Sequence, residues 1–237
     1  MRARRLLAVA TVAVGLVALS GCRAEPGVAA YVGDHRITED AVTGVLDELK
    51  GSLPSQEPTP AGQESEAPAG PRLPARSQVV STLVLLEVCQ KLSTEKNYRP
   101  QGQVQAEQVA QQFGLPADAT YSQRVAELYT CLSGVPAGQS VAPTQEELAA
   151  LVAAGKEAGA IPPEVTVEQA ASQLDGDQLR SALATRNNLA EAVTGYDVTV
   201  NPRYRPLEFP VLSFTGDVPA VSVPLGESGS DSVIDAR

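Results

Sequence analysis

Residues 29–42 read AAYVGDHRITEDAV, and the change of hydrophobic period inside them decides the fold. A small apolar run, Val28 to Val32, stops at the turn pair Gly33-Asp34, and Ile37 resumes the apolar pattern. Thr38 then offers a side-chain oxygen to cap a helix. Glu39 and Asp40 put negative charge in its first turn, where the helix dipole favours it. Val42, Val45, Leu46 and Leu49 recur on one face until Lys50-Gly51 closes the helix. A strand, a turn and a capped helix therefore open the domain.

Working outward, the helical period dominates. It predicts a long helix over 77–96, with Val80, Leu83, Val84, Val88 and Leu92 on buried positions and Cys89 inside it. A shorter helix is expected over 103–113, stopped by Gly114 and Pro116. Thr120 is expected to cap a helix carrying Val125, Leu128, Tyr129 and Leu132 and ending at Gly134. Thr144-Gln145-Glu146-Glu147 and Thr166-Val167-Glu168-Gln169 are capping boxes, each opening a helix. The last helix is expected over 177–193, ending at Gly195.

At residues 196–200, YDVTV, the period changes to strict alternation, and Asn201-Pro202 breaks it. This strand is expected to pair with residues 28–32. The expected fold is therefore mainly α, a helical domain over 28–205 with a small two-stranded sheet joining its two ends. Residues 52–75, rich in Pro, Gly, Ser, Gln and Glu, read as a disordered loop. Residues 206–237 carry repeated Pro and a Gly/Ser/Asp finish and read as a loose tail.

The N-terminus has its own pattern. Arg2, Arg4 and Arg5 precede an uncharged apolar run over 6–19, shorter than the roughly 20 residues of a spanning helix. The run ends in LSGC, residues 19–22, which resembles the lipobox of bacterial lipoprotein signal peptides. That resemblance implies a signal peptide over 1–21, a diacylglyceryl thioether on Cys22, a tether over 22–27, and residence at the extracytoplasmic face of the cell membrane in the envelope. Two acyl chains hold where one would not, because each buried methylene contributes about 0.8 kcal/mol.

Export would leave Cys89 and Cys131 in an oxidising compartment, where an even pair suggests a disulfide; two buried free thiols are the alternative. Neither has a nearby histidine with which to fill a tetrahedral metal shell, so no metal and no cofactor are expected. The formal charge is −10, and losing Arg2, Arg4 and Arg5 leaves −13. Such a surface repels phosphate backbones, so nucleic acid is not an expected partner.

The order small strand, turn, Ile-Thr, helix in residues 29–42, together with LAEAVTGYDVTVNPRYRP over 189–206, resembles the N-terminal domain of SurA-like and PrsA-like chaperones. The resemblance covers 28–205, with its specific motifs at the two ends. It implies a helical module that binds unfolded or nascent exported polypeptides without nucleotide. Family members can carry a parvulin-type prolyl isomerase before the final strand. Here the interval 141–194 reads as helices, and His35 is the chain's one histidine where parvulin sites use pairs, so the isomerase is expected to be absent.

Other chemistry reads weakly. His35 beside Asp34 could act as a base, but lies in a polar turn. The Glu146-Glu147 pair is explained by its helix N-terminus. Asn201-Pro202-Arg203-Tyr204 reads as a strand stop. Tyr98, Phe113, Tyr121, Tyr129 and Tyr196 could line a peptide groove or fill the core. The expected function is a membrane-anchored, chaperone-like lipoprotein and not an enzyme; the alternative is a ligand-binding or scaffolding envelope lipoprotein. Mass spectrometry of the mature N-terminus is expected to find an acylated Cys22, and Cys22→Ala to abolish the modification and release or stall the precursor.

Overall fold

In a computed structural model, residues 25–53, 73–214 and 218–226 are described. The expectations for the signal peptide, for Cys22 and for most of the 52–75 loop lie outside them. The described residues form a mainly helical fold with a small sheet, as the periodicity predicts.

Strand β1 (Val28–Val32) is central in a three-stranded antiparallel sheet of order β2-β1-β3, flanked by β2 (His35–Thr38) and β3 (Val198–Val200). Val28, Ala29, Ala30 and Val32 are buried, so both faces of β1 are covered. Gly33 takes φ 59° at the first position of the two-residue loop between β1 and β2, a backbone state that glycine enters without strain. The predicted pairing of the chain's ends is present, with Ala30 opposite Val200 and Val32 opposite Val198. The strand β2 enlarges the expected two-stranded sheet to three.

Helix α1 (Glu39–Ser52) starts as expected: Thr38 Oγ1 accepts from Ala41 N at 3.1 Å. Val42, Leu46 and Leu49 form its buried stripe. Helix α2 (Arg76–Lys96) is the spine of the core and is buried on several sides, among them at Val79, Val80, Val84, Leu85, Val88 and Cys89. The buried hydroxyls of Ser81 and Thr82 donate to Gln78 O at 3.0 and 2.8 Å, so neither is left without a partner. Helix α3 (Ala106–Phe113) ends at Gly114 in the left-handed region.

Helix α4 (Thr120–Gly134) corrects the expected cap. Thr120 lies inside the helix and Ala119 holds the cap position; the free Thr120 N–H instead donates to Glu48 Oε1 on α1 at 2.8 Å. A partner 72 positions away in the chain has no local signature. Hydrogen bonding from Thr120, first from its side chain and then from this N–H, lowers the Glu48 pKa. Cys89 and Cys131 stand at disulfide distance with Cα atoms 6.2 Å apart, tying α2 to α4. Closing a loop across their sequence separation of 42 is worth roughly 4 kcal/mol in chain entropy.

Helices α5 (Gln145–Glu157), α6 (Val167–Leu174) and α7 (Asp177–Gly195) follow, and after β3 a 3-10 turn, Pro202–Tyr204, carries the chain back to the first helix. There Tyr204 OH donates to both Glu39 carboxylate oxygens at 3.0 and 2.8 Å, and Arg76 Nη1 donates to the same carboxylate at 3.1 Å. Asn201 Nδ2 donates to Val28 O at 2.9 Å and Arg203 Nη2 to Pro26 O at 2.9 Å. Asn201-Pro202 does stop the strand, and the residues around it also bind the other end of the domain.

The expectation of a loose tail over 206–237 is wrong for the described residues of that stretch. Strands β4 (Glu208–Ser213) and β5 (Pro219–Pro224) form an antiparallel hairpin. Leu207, Phe209, Val221, Val223 and Leu225 are buried in it. Pro210, Pro219 and Pro224 do not break the pair because all three lie exposed in a two-stranded sheet, where each strand has a free edge that needs no donor. The hairpin closes onto the main sheet at Gly226, φ 97°, where a Cβ would meet Val200 Cγ2 at 2.8 Å. Phe209→Ala is accordingly expected to cost about 3 kcal/mol, read as a shift in the urea midpoint. A loose tail would tolerate it.

Candidate functional site

The hairpin and the last three helices border an apolar recess. Helices α5 and α6 start where the sequence places them. Thr144 Oγ1 accepts from Glu147 N at 3.2 Å while Thr144 N donates to Glu147 Oε2 at 2.8 Å; Thr166 and Gln169 repeat the exchange at 3.3 and 3.1 Å. Leu148 and Leu151 on α5 then meet Leu179 and Leu183 on α7 and Val221 on β5, a small cluster separate from the main core.

At Gly155 a Cβ would strike Ile161 Cδ1 at 2.6 Å and approach Phe214 Cζ at 3.3 Å. The absence of a side chain there lets the turn after α5 fold back and the Phe214 ring lie against the helix. Beside that ring is an open-sided cleft of about 330 Å³. Leu151, Leu174 and Leu179 line it from the three helices, and Leu212, Phe214 and Ala220 from the hairpin. Gln173, Gln178, Asp177 and Ser213 supply its polar atoms. Asp177 sits in the first turn of α7, where the dipole stabilises its charge. Oligomeric ligands aside, such a lining suits one or two apolar groups held by shape, with amides and a hydroxyl at the edge.

A second, more open depression lies on α2, bordered by Glu87, Lys91, Thr94, Glu95 and Tyr196. Tyr196 OH donates to Glu95 Oε2 at 2.7 Å. Burial, and then this bond to a carboxylate, push the Tyr196 pKa up to about 12. The phenol is held protonated as a donor.

His35 is half exposed on the edge strand β2, its Nε2 3.8 Å from Glu87 Oε2. It lines neither recess. Glu146 is exposed, whereas Glu147 is engaged by the Thr144 cap and by Arg186 Nη2 of α7 at 2.7 Å. Tyr98 and Tyr121 pack half-buried against the main core; Phe113 and Tyr129 are exposed on α3 and α4. The rings do not gather in the cleft, which uses Phe214. That residue was missed because its segment read as tail; the alternation of Phe209 and Val211, then Val221 and Val223, about a glycine-containing connection is the signal that could have found it.

Compared with known proteins, the chain matches no family model, no curated protein and no solved structure. Among the described residues, no group of His, Cys, Asp or Glu is placed to hold a metal ion, and no helix is long and apolar enough to cross a membrane.

The Glu147 pKa is lowered, first by the backbone N–H of Thr144, with Arg186 adding to it. A lowered carboxylate pKa contributes stability that is present above the ordinary value of 4.5 and is lost as pH falls through the folded-state value. Glu147→Gln is therefore expected to lower Tm at neutral pH, and the gap from the parent to narrow below pH 4.5 in thermal melts across an acid series.

Proposed function

We propose that the protein is a membrane-anchored, extracytoplasmic binding module that holds unfolded exported polypeptides, a chaperone-like lipoprotein that acts by binding and not by catalysis. The observation that carries this reading is the open-sided apolar cleft between the last three helices and the hairpin. Its open side admits a chain that continues beyond the bound group, as a polypeptide does. Its lining offers hydrophobic contact to side chains, with amides and a hydroxyl at the edge for backbone groups.

Two features of the sequence support the setting. LSGC over 19–22 resembles a lipobox, and the strand-turn-helix at one end with NPRY at the other resembles the helical module of SurA-like chaperones. The clasp of Tyr204 and Arg203 about Glu39 and Pro26 gives those terminal motifs a shared structural task. That task needs no isomerase.

Purified protein lacking residues 1–22 is expected to slow aggregation of a chemically denatured client, with Phe214→Asp losing most of the effect when assayed well below its own, lowered Tm, since the ring also packs at Gly155. A proline-limited refolding phase of tens to hundreds of seconds is expected to keep its uncatalysed rate. Light scattering and stopped-flow fluorescence read the two. Failure across several clients would shift the reading to a scaffolding or small-ligand lipoprotein, and acceleration of the slow phase would make it an enzyme.

A further inference from the structure

The cleft between the hairpin and the last three helices has an apolar floor and an uneven rim. Leu151, Leu174, Leu179, Leu212 and Phe214 supply the floor. Gln173, Gln178 and Ser213 bring uncharged polar atoms to the edge, and Asp177 is the one residue of the described lining that carries a charge. Its place follows from the local chain. Gly176 holds the cap position of α7, so Asp177 opens the first turn of that helix and stands exposed beside the floor.

The nearest charges around it compensate one another. Arg180 Nε and Nη2 donate to the two Asp175 carboxylate oxygens at 2.8 and 3.0 Å, a two-pronged pair that is neutral as a unit. Val141 N donates to Arg180 O at 3.4 Å and Asn188 Nδ2 to Pro136 O at 2.8 Å, so the connection entering α5 and the one leaving α6 are both fastened to α7. The rim is held in place. The raised Arg180 pKa has its hydrogen bonds to Asp175 as first cause and the charge of Asp177 as last. Asp177 itself joins none of the ion pairs of the described residues. The helix macrodipole places about +0.5 of a charge at its N-terminus, which the full negative charge of a carboxylate exceeds. A net negative charge therefore borders an apolar floor.

We propose that the cleft selects polypeptide segments in which a lysine or arginine lies beside an apolar side chain, the apolar group entering against Leu151, Leu179 and Phe214 and the cation meeting the Asp177 carboxylate at the edge. The selectivity rests on the reading of the cleft as a polypeptide site and names the class of segment that it takes. Segments with an acidic residue beside the apolar group are turned away by like charge at the rim, and the chain's formal charge of −10 repels them at longer range. Uncharged apolar segments bind through the floor alone. An exposed ion pair adds a modest preference, on the order of two- to fivefold in Kd. That is enough to rank competing segments without holding any of them tightly.

Fluorescence anisotropy on the full mature protein, held in nanodiscs of phosphatidylcholine so that the bilayer carries no net charge, tests the selectivity. The probes are end-blocked peptides that share a Leu-Phe-Leu core in a Gly-Ser frame and carry Arg, Gln or Glu beside it. The Arg peptide is expected to bind about two- to fivefold more tightly than the Gln peptide, and the Glu peptide most weakly. Asp177→Asn is expected to bring the Arg and Gln peptides to equal affinity. Gln178→Glu adds a charge at an exposed first-turn position where the helix dipole favours it, and is expected to widen the ratio. The preference is expected to vanish at about 1 M salt, where the screening length is about 3 Å. Equal affinity of all the peptides for the parent, or a ratio that survives Asp177→Asn, would overturn the selectivity while leaving the cleft a polypeptide site. Binding of none of them would overturn the polypeptide reading of the cleft and the selectivity together.

Discussion

Pairing of β1 with β3 is the constraint on which the remaining structure depends. It joins segments so distant that the Asn201 side chain, closing the same junction, reaches a carbonyl 173 positions away. Loop closure over such a distance costs entropy before any contact forms, so the junction must be strong once made. It is strengthened from two directions. Apolar burial of Val32, Val198 and Val200 supplies the driving force, and the Glu39 carboxylate, accepting from Tyr204 and Arg76, fixes the geometry. Burial beside that carboxylate raises the Tyr204 pKa, which keeps the phenol a donor.

From this junction the rest is placed in order. Helix α1 leaves β2 with its dipole end at the clasp, α2 returns beneath the sheet, and the bridge from Cys89 to Cys131 fixes α4 to α2. The chain after Tyr204 then turns back across α7 as the hairpin, with Leu225 N donating to Leu207 O at 2.8 Å to close it. The cleft exists because that hairpin reaches past the main core and meets α5 and α6 beside α7. The recess is thus a boundary between the main core and the smaller apolar cluster.

Helical periodicity made α2 and α7 legible within a few residues, and capping chemistry did so for α1, α5 and α6, because Thr38, Thr144 and Thr166 each satisfy a helix N–H from within the same turn. Helix α4 shows where that reasoning fails. Its start is capped by Glu48 from another helix, so Thr120 looked like a cap while serving as a donor. The hairpin failed for a related reason. Prolines at 210, 219 and 224 argue against a strand in isolation, and only the presence of a partner on one side with a free edge on the other makes them compatible with one.

The sequence by itself determined the helical class and the two terminal strands with their pairing, because each is written in a local period; it left Cys89 and Cys131 open between a disulfide and two free thiols, and the structure brings them to disulfide distance. Tertiary structure alone decided the cleft, the clasp on Glu39 and the pairing of Glu147 with Arg186. Those depend on side chains brought together from separate elements, and a period of two or of three and a half residues carries no information about which distant face an element will meet.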